Sequence, residues 1–348
     1  MAEQLDISVI ITTYNRCDML ATAIERLLEQ ESQRVKYELI IVDNNSTDQT
    51  RQVVESFIRQ GHTNLRYVFE PRQGVSHGRN AGIANSNAEI IAFTDDDVYV
   101  QKNWIAGIKR TLDEHPEVDF AGGRTLPHWP SEPPTWLTRE HWWPLALLDP
   151  GDKSFYVNTD NPLCLPTANI SFRREVFRLV GLFSPEFSGR EDHELLVRLW
   201  RAGRQGIYDP ELIVTAEVQP ERLSKNYHRK WNITTGKFNS LMRLNESIDA
   251  GGRFVGELPD LVTLFGVPGY VYRRLILEGF HLLWATVKRR KVKTEQHRNH
   301  IWYLIGYISK RYEQNALQRK HSSLSEIGTF ARAVLRKKLF RNQPSGKA

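Results

Sequence analysis

Cysteine is scarce: the 348 residues contain two, Cys17 and Cys164. That excludes a disulfide-stapled scaffold and fits a reducing compartment. The opening residues, Met1-Ala-Glu-Gln-Leu-Asp6, carry neither a basic start nor an apolar stretch, so no secretory signal is expected. No apolar run is long and unbroken enough to read as a membrane span. The nearest candidate, residues 262–287, is interrupted by Gly266, Pro268, Gly269, Arg273, Arg274 and Glu278 and reads better as an interfacial helix pair. No Gly-x-Gly-x-x-Gly follows the first strand-like run and no Walker sequence occurs. Dinucleotide oxidoreductases and P-loop enzymes thereby lose their main support. Internal repeats and low-complexity segments are also missing. What remains is a globular composition, 40% hydrophobic and 25% charged, on a chain long enough for about two domains.

Charge is unevenly spread. From Asp260 to Ala348 there are 18 Lys and Arg against 5 Asp and Glu, a net of +13, whereas the remainder carries 29 against 36, a net of −7. The two parts are expected to meet different partners. A basic tail suits an anionic lipid surface or nucleic acid, or is simply solvated.

The first hundred residues alternate between two periods. Ile7-Ser-Val-Ile-Ile-Thr12 is a β-branched run, followed by a helical face at Met19, Leu20, Ala23, Ile24, Leu27 and Leu28. Glu38-Leu-Ile-Ile-Val-Asp43 and its helix, Leu65-Arg-Tyr-Val-Phe69, a helix near 77–85, and Glu89-Ile-Ile-Ala-Phe-Thr94 continue the series. Such alternation predicts an α/β fold with a mostly parallel central sheet covered by helices on both faces, and ligands at the carboxyl ends of the strands. Tyr14, Asn15, Asp43 and Asn44 fall there. Residues 126–150 break the pattern with Trp129, Trp136, Trp142 and Trp143 set among six prolines. This predicts a long irregular loop whose tryptophans either stack on a ligand or pin it to the body. A strand is expected at 167–172 and a helix from Glu191 to about Ala202.

Asp95, Asp96 and Asp97 stand where the last of these early strands ends. Three like charges there repel one another, a cost offset by a divalent cation or by basic neighbours. Oxygen ligands suit Mg2+ or Mn2+, which keep positions open for substrate phosphates; the alternative is a solvated acidic turn. If strand alternation continued, the outer pair, Asp95 and Asp97, would face the same way.

Taken together, these motifs resemble glycosyltransferase family 2, the inverting, nucleotide-sugar-dependent enzymes of the GT-A fold. The resemblance covers roughly Asp6 to Gly236 and rests on an ordered set. Ser8-Val-Ile-Ile-Thr-Thr-Tyr-Asn15 matches the opening strand, whose end contacts the nucleotide, implying Thr12, Tyr14 and Asn15. Ile40-Ile-Val-Asp-Asn-Asn-Ser-Thr-Asp48 matches the segment whose first aspartate, Asp43, binds the base; a turn-capping role is the alternative. Gly74-Val-Ser-His-Gly-Arg-Asn-Ala-Gly82 places Arg79 and Asn80 beside the donor. Phe93-Thr-Asp-Asp-Asp97 is the Asp-x-Asp motif, with Asp95 and Asp97 toward the metal and Asp95 and Asp96 toward the donor. Glu191-Asp192 resembles the acidic pair that supplies the catalytic base, Asp192 first and Glu191 next, although acidic residues also stabilise a helix start. Val218 to Trp231 resembles a further family stretch often preceded by a histidine; here Thr215-Ala-Glu217 stands instead, and Glu217 is the candidate substitute. Arg222, Lys225 and Arg229 are candidates for the diphosphate or an anionic acceptor.

The resemblance implies a metal-dependent (Mn2+ or Mg2+) transfer from a nucleotide-sugar donor, most simply a UDP-sugar, to a carbohydrate or lipid-linked hydroxyl acceptor. Surface polysaccharide or glycolipid synthesis fits such chemistry. The expected division is a GT-A domain at 1–236 and a helical, basic region at 237–348 that attaches peripherally to the inner face of the cell membrane or packs against protein. No specific nucleic-acid partner is expected. The rivals are a nucleotidyltransferase, which would carry a glycine-rich basic loop after the first strand where Thr12-Thr-Tyr-Asn-Arg16 has none, and a non-catalytic nucleotide-sugar-binding protein.

Overall fold

The computed structural model describes residues 4–318 except 33, 188, 245–246, 249–252 and 256–261, together with 327 and 330. The end of the expected C-terminal region, 319–348 apart from those two, lies outside the described residues. Four strands form where the pattern predicts: β1 (Ile7–Thr13), β2 (Tyr37–Asp43), β3 (Leu65–Phe69) and β4 (Ile90–Asp95). They are parallel, in the order β3-β2-β1-β4, and are linked by α1 (Cys17–Leu28), α2 (Thr50–Arg59) and α3 (Val75–Asn85). Thr13 pairs with Asp43 and Thr12 with Asp95, so the polar strand ends lie side by side.

Two glycines bring α3 onto β1. A Cβ at Gly82 would stand 2.5 Å from Ile10 Cγ2, and one at Gly78 would collide with Thr12 Cγ2. Glycine at both positions allows the helix to settle on the strand. Beneath β4, Phe93 packs edge-on against Phe183 at 5.3 Å and Phe172 at 6.1 Å. One buried charge ties the parallel strands together. Glu38, 3% exposed, accepts from Ser8 Oγ at 2.7 Å, Asn87 N at 2.8 Å and Arg66 Nη1 at 2.7 Å. Burial alone would raise its pKa, but these donors outweigh it and hold the carboxyl below its usual range.

Beyond Asp95 the sheet becomes mixed. The elements are β5 (Val98–Val100), α4 (Trp104–Glu114), β6 (Phe120–His128), β7 (Phe155–Val157), β8 (Ile170–Arg173), α5 (Glu175–Leu179), α6 (Glu191–Arg201) and β9 (Gly206–Glu217). β8 lies antiparallel to β4 and β6, β6 runs parallel to β9, and β5 and β7 flank β9 antiparallel. The strand expected at 167–172 is a 3-10 turn over Thr167–Asn169 followed by β8. Of the proline-rich stretch expected to be irregular from residue 126, residues 126–128 instead finish β6; beyond them it holds only the short turns Arg139–His141 and Trp143–Leu145 and a bridge from Leu148 back to Thr125.

The chain divides into two compact units: Met1–Pro133, Arg139–Leu223 and Gly252–Phe254 in the first, and Pro134–Thr138, Ser224–Gly251 and Val255–Ala348 in the second. The boundary expected after residue 236 falls within α7 (Lys225–Leu241). Also in the second unit are the small ladder of β10 (Thr263–Leu264) and β11 (Val267–Pro268), α8 (Gly269–Val287) and α9 (Lys291–Gln318). Its core gathers Val267, Val271, Leu304 and Tyr307. Gly236 and Gly306 let α7 and α9 meet backbone to backbone, since a Cβ on either would strike the other helix's carbonyl oxygens. Trp136 belongs to this unit and is 8% exposed, edge-on to His228 at 5.0 Å. It is an anchor, whereas Trp143 is 41% exposed. Among the described residues no helix is long and apolar enough to cross a membrane.

Candidate active site

The carboxyl ends of β1, β2 and β4 open on a cleft of about 380 Å³ in the first unit, lined by Thr12, Thr13, Tyr14, Arg16, Asn44, Gln73, Val75, Arg79, Asp95, Asp96, Asp97 and Arg222. All three aspartates reach it, but not with the expected alternation. β4 ends at Asp95, and Asp96-Asp97 form a turn into β5. The pleat stops there, and Asp96 and Asp97 converge on one guanidinium: Arg16 Nη1 donates to Asp96 Oδ1 at 3.0 Å and to Asp97 Oδ2 at 2.9 Å. Asp95 turns instead toward Arg79, whose Nη2 lies 3.4 Å away. The outer pair therefore does not share one direction.

Three arginines face this acidic turn. Arg222 Nη2 stands 3.8 Å from Asp97 Oδ2, and with Arg16 and Arg79 it answers Asp95, Asp96, Asp97 and Glu191, one negative charge more than the three cations. Burial and the Asp97 charge push the Asp96 carboxyl up to about 6, against the pull of Arg16 and of the Thr13 hydroxyl, which donates at 2.7 Å. Burial likewise raises Asp95, with Asp97 and Glu191 adding to it and Arg79 and Arg222 opposing. The cluster is short of positive charge, and its oxygen donor set suits a hard divalent cation.

Arg79 links two parts of the site. It is 6% exposed and donates through Nη1 to Glu191, itself 4% exposed at the start of α6. Burial would lower its pKa, but Glu191, Asp95 and Asp192 outweigh that, so the guanidinium stays charged. Glu191 Oε2 is buried without a hydrogen-bond partner. Asp192, the next residue, is less buried and, among the described residues, accepts only from the adjacent His193 N–H at 2.7 Å. Of the acidic pair, Glu191 is committed to an ion pair with Arg79, whereas Asp192 makes none among the described residues. Behind them His193 is held near pKa 3 by burial and by the Arg190 charge, and so is neutral at ordinary pH.

The remaining predicted residues fall in three places. Thr12 and Tyr14 line the cleft. Asp43 lies beneath it, 3% exposed, accepting from Ser46 N at 2.8 Å and from the Tyr67 hydroxyl at 2.7 Å; its neighbour Asn44 is equally buried but lines the cleft. Asn15, in the left-handed region at φ 51°, accepts from Thr47 N at 2.7 Å and so pins the β1 end to the β2 end. Asn80 does not line the cleft. Its side chain bridges the Phe183 peptide, donating to O at 2.8 Å and accepting from N at 3.0 Å. Of the three downstream cations, Arg222 meets the aspartates, while Lys225 pairs with Glu295 at 2.6 Å and Arg229 lies over Trp302 at 4.2 Å, both within the helical unit.

Sequence reasoning missed two residues. Arg16 was readable, because a cation three residues past the β1 end must sit near the β4 end when Thr12 pairs with Asp95. His128 was not. It ends β6 directly opposite Glu217 on β9, with Nδ1 2.6 Å from Glu217 Oε2, and Glu217 N donates to Asp97 O at 2.8 Å. An imidazole thus stands beside the acidic turn, supplied from a different strand than expected.

The family model described as Glycosyl transferase family 2 matches residues 8–181, half of the chain. The glucosyl-dolichyl phosphate glucuronosyltransferase of Haloferax volcanii is 25% identical over 224 residues, 62% of this chain and 70% of that protein. An uncharacterized glycosyltransferase of Nostoc sp. is 29% identical over 190 residues, and the match spans 52% of this chain and 55% of that relative's length. Among solved structures, a mannosyltransferase from Pyrobaculum calidifontis in complex with GDP-Man and Mn2+ superposes with TM-score 0.53 at 18% identity, over 96% of this chain and 81% of its own. The S. aureus TarS 1-349 fragment in complex with UDP-GlcNAc gives TM-score 0.51 at 16% identity, over 91% and 93%. These likenesses establish the expected fold.

Proposed function

The chain belongs to glycosyl transferase family 2 and is a glycosyltransferase, and we propose that it moves one sugar from a UDP-sugar donor to a hydroxyl acceptor with inversion at the anomeric carbon. The observation that carries this reading is the cleft at the strand ends, where three aspartates are faced by three arginines. Tyr14, Asn44 and the buried Asp43 frame the nucleoside end. Arg79, Arg16 and Arg222 stand where a diphosphate would sit, and their fixed charges favour its departure. Asp95 and Asp97 would hold Mn2+ or Mg2+, with His128 and Glu217 alongside. When bound, the ion neutralises charge on the leaving diphosphate.

Asp192 is our choice for the base that takes the acceptor proton, because Glu191 is already paired with Arg79. A single carboxylate acting opposite the leaving group gives inversion. A donor of the UDP class draws support from the UDP-GlcNAc complex of the TarS fragment, and a lipid-linked acceptor from the relative named for glucosyl-dolichyl phosphate. Peripheral membrane attachment is supported by α8. Ile276, Leu277, Phe280, Leu283, Trp284 and Val287 are all exposed and form one stripe at helical spacing, followed directly by the run from Lys288 to Lys291.

The test is a donor screen that detects released nucleoside diphosphate with and without Mn2+. Transfer from one UDP-sugar, abolished by chelation, is expected. Transfer from GDP-sugars alone would overturn the donor class, and full transfer in excess chelator would overturn the metal role.

A further inference from the structure

The helical unit carries a second group of titratable side chains that sugar transfer does not use. Glu278 and His281 are three residues apart on α8, and His297 and His300 are three apart on α9, so each pair projects from one helix face. The two faces meet. Glu278 Oε2 is 2.7 Å from His297 Nδ1 and its Oε1 is 2.8 Å from His300 Nδ1, while the His281 and His297 rings lie 5.2 Å apart. One ligand atom each from Glu278, His281 and His297 lies within 4.8 Å of the other two.

We propose that Glu278, His281 and His297 bind one Zn2+ ion, with His300 orienting the second carboxylate oxygen. Two imidazoles and a carboxylate are a zinc donor set that leaves a fourth position for water. Bonds of about 2.0–2.1 Å put tetrahedral ligands about 3.3 Å apart, so side-chain rotation suffices to close this group on an ion. A glutamate that serves only to pin two helices needs a single imidazole, whereas here three converge. The His300 contact is the outer-shell partner that fixes a ligating carboxylate. The donor sets also differ: two imidazoles with one carboxylate select zinc-like ions, whereas the carboxylate oxygens of Asp95 and Asp97 favour Mg2+ or Mn2+. A bound ion would clamp α8 to α9 and so fix the helix that bears the exposed apolar stripe.

The experiment titrates Zn2+ alone into chelator-stripped, full-length protein whose affinity tag has been removed, in competition with a chromophoric chelator. His281 is exposed, so His281→Ala leaves the helix packing in place and is the primary variant. One Zn2+ per chain is expected, with affinity weakened by about 100-fold or more in His281→Ala and by roughly 10–100-fold in His300→Gln, and unchanged in Asp95→Asn/Asp97→Asn. Co2+ in place of Zn2+ should give visible absorption that His281→Ala lacks. Micromolar Zn2+ that fails to bind overturns the proposal, as does binding that survives His281→Ala or follows the aspartates instead.

Discussion

Arg79→Ala separates stability from chemistry at the heart of the cleft. The wild-type guanidinium is buried between Glu191 and Asp95, with Phe183 against it at 5.7 Å. Removing it leaves Glu191 4% exposed and with neither oxygen paired, since Oε2 has no hydrogen-bond partner to begin with. Breaking a buried pair by deleting one partner costs about 3–5 kcal/mol. At roughly 2–4 °C per kcal/mol for a domain of this size, Tm should fall by about 6–20 °C. Glu191→Gln should cost less, about 1–3 kcal/mol, because Arg79 keeps Asp95. The double variant Arg79→Met/Glu191→Leu removes both charges and should recover most of the loss, yet it should stay inactive because the cation facing the diphosphate is gone. Far-UV circular dichroism during heating and urea unfolding reads stability, and nucleoside diphosphate release reads activity. Melting of Arg79→Ala within about 2 °C of wild type would show that the pair is effectively solvated and refute the reasoning.

Asp192→Asn should leave stability and donor binding intact while turnover falls by about 10²-fold or more; if Glu191→Gln alone lost turnover with donor binding intact, the base would be Glu191. Product from an α-linked donor should be β-linked, and an NMR coupling constant showing retained configuration would rule out single-base displacement. Glu38 sets a pH-dependent increment. Its folded pKa lies below the unfolded value of about 4.3, so its contribution is complete above that pH and is lost as pH falls through the folded pKa. The stability gap between wild type and Glu38→Gln, about 2 kcal/mol at pH 7, should therefore narrow below about pH 4; a gap constant down to pH 3 contradicts this. Full-length protein should cosediment with anionic vesicles, less at high salt, each basic residue near the surface contributing about 1 kcal/mol. Phe280→Glu/Trp284→Glu should abolish the binding, and equal binding to neutral vesicles would remove its electrostatic part.

What could be read from the sequence follows how local each signal is. The parallel strands and the aspartates at the end of β4 were legible, because unbroken apolar runs report burial on both faces and a charge cluster after such a run has only the strand end to occupy. The direction of those aspartates was not, since alternation holds only while the strand lasts and the chain turns at Asp96. Arg79 and Asn80 were read as a pair from their motif, yet neighbours on a helix point about 100° apart: one reaches the cleft and the other ties down Phe183. That distinction was available from periodicity alone. His128 was beyond reach, because its place opposite Glu217 depends on a register that shifts between Gly122 and Arg124, and nothing near residue 128 encodes it. The Glu-x-x-His and His-x-x-His spacings in α8 and α9 lie between these cases. Each was visible as a pair, but only the packing of the two helices makes them one group. Local pattern therefore locates the strand ends where ligands gather, and long-range register decides which side chains from other strands and helices complete the site.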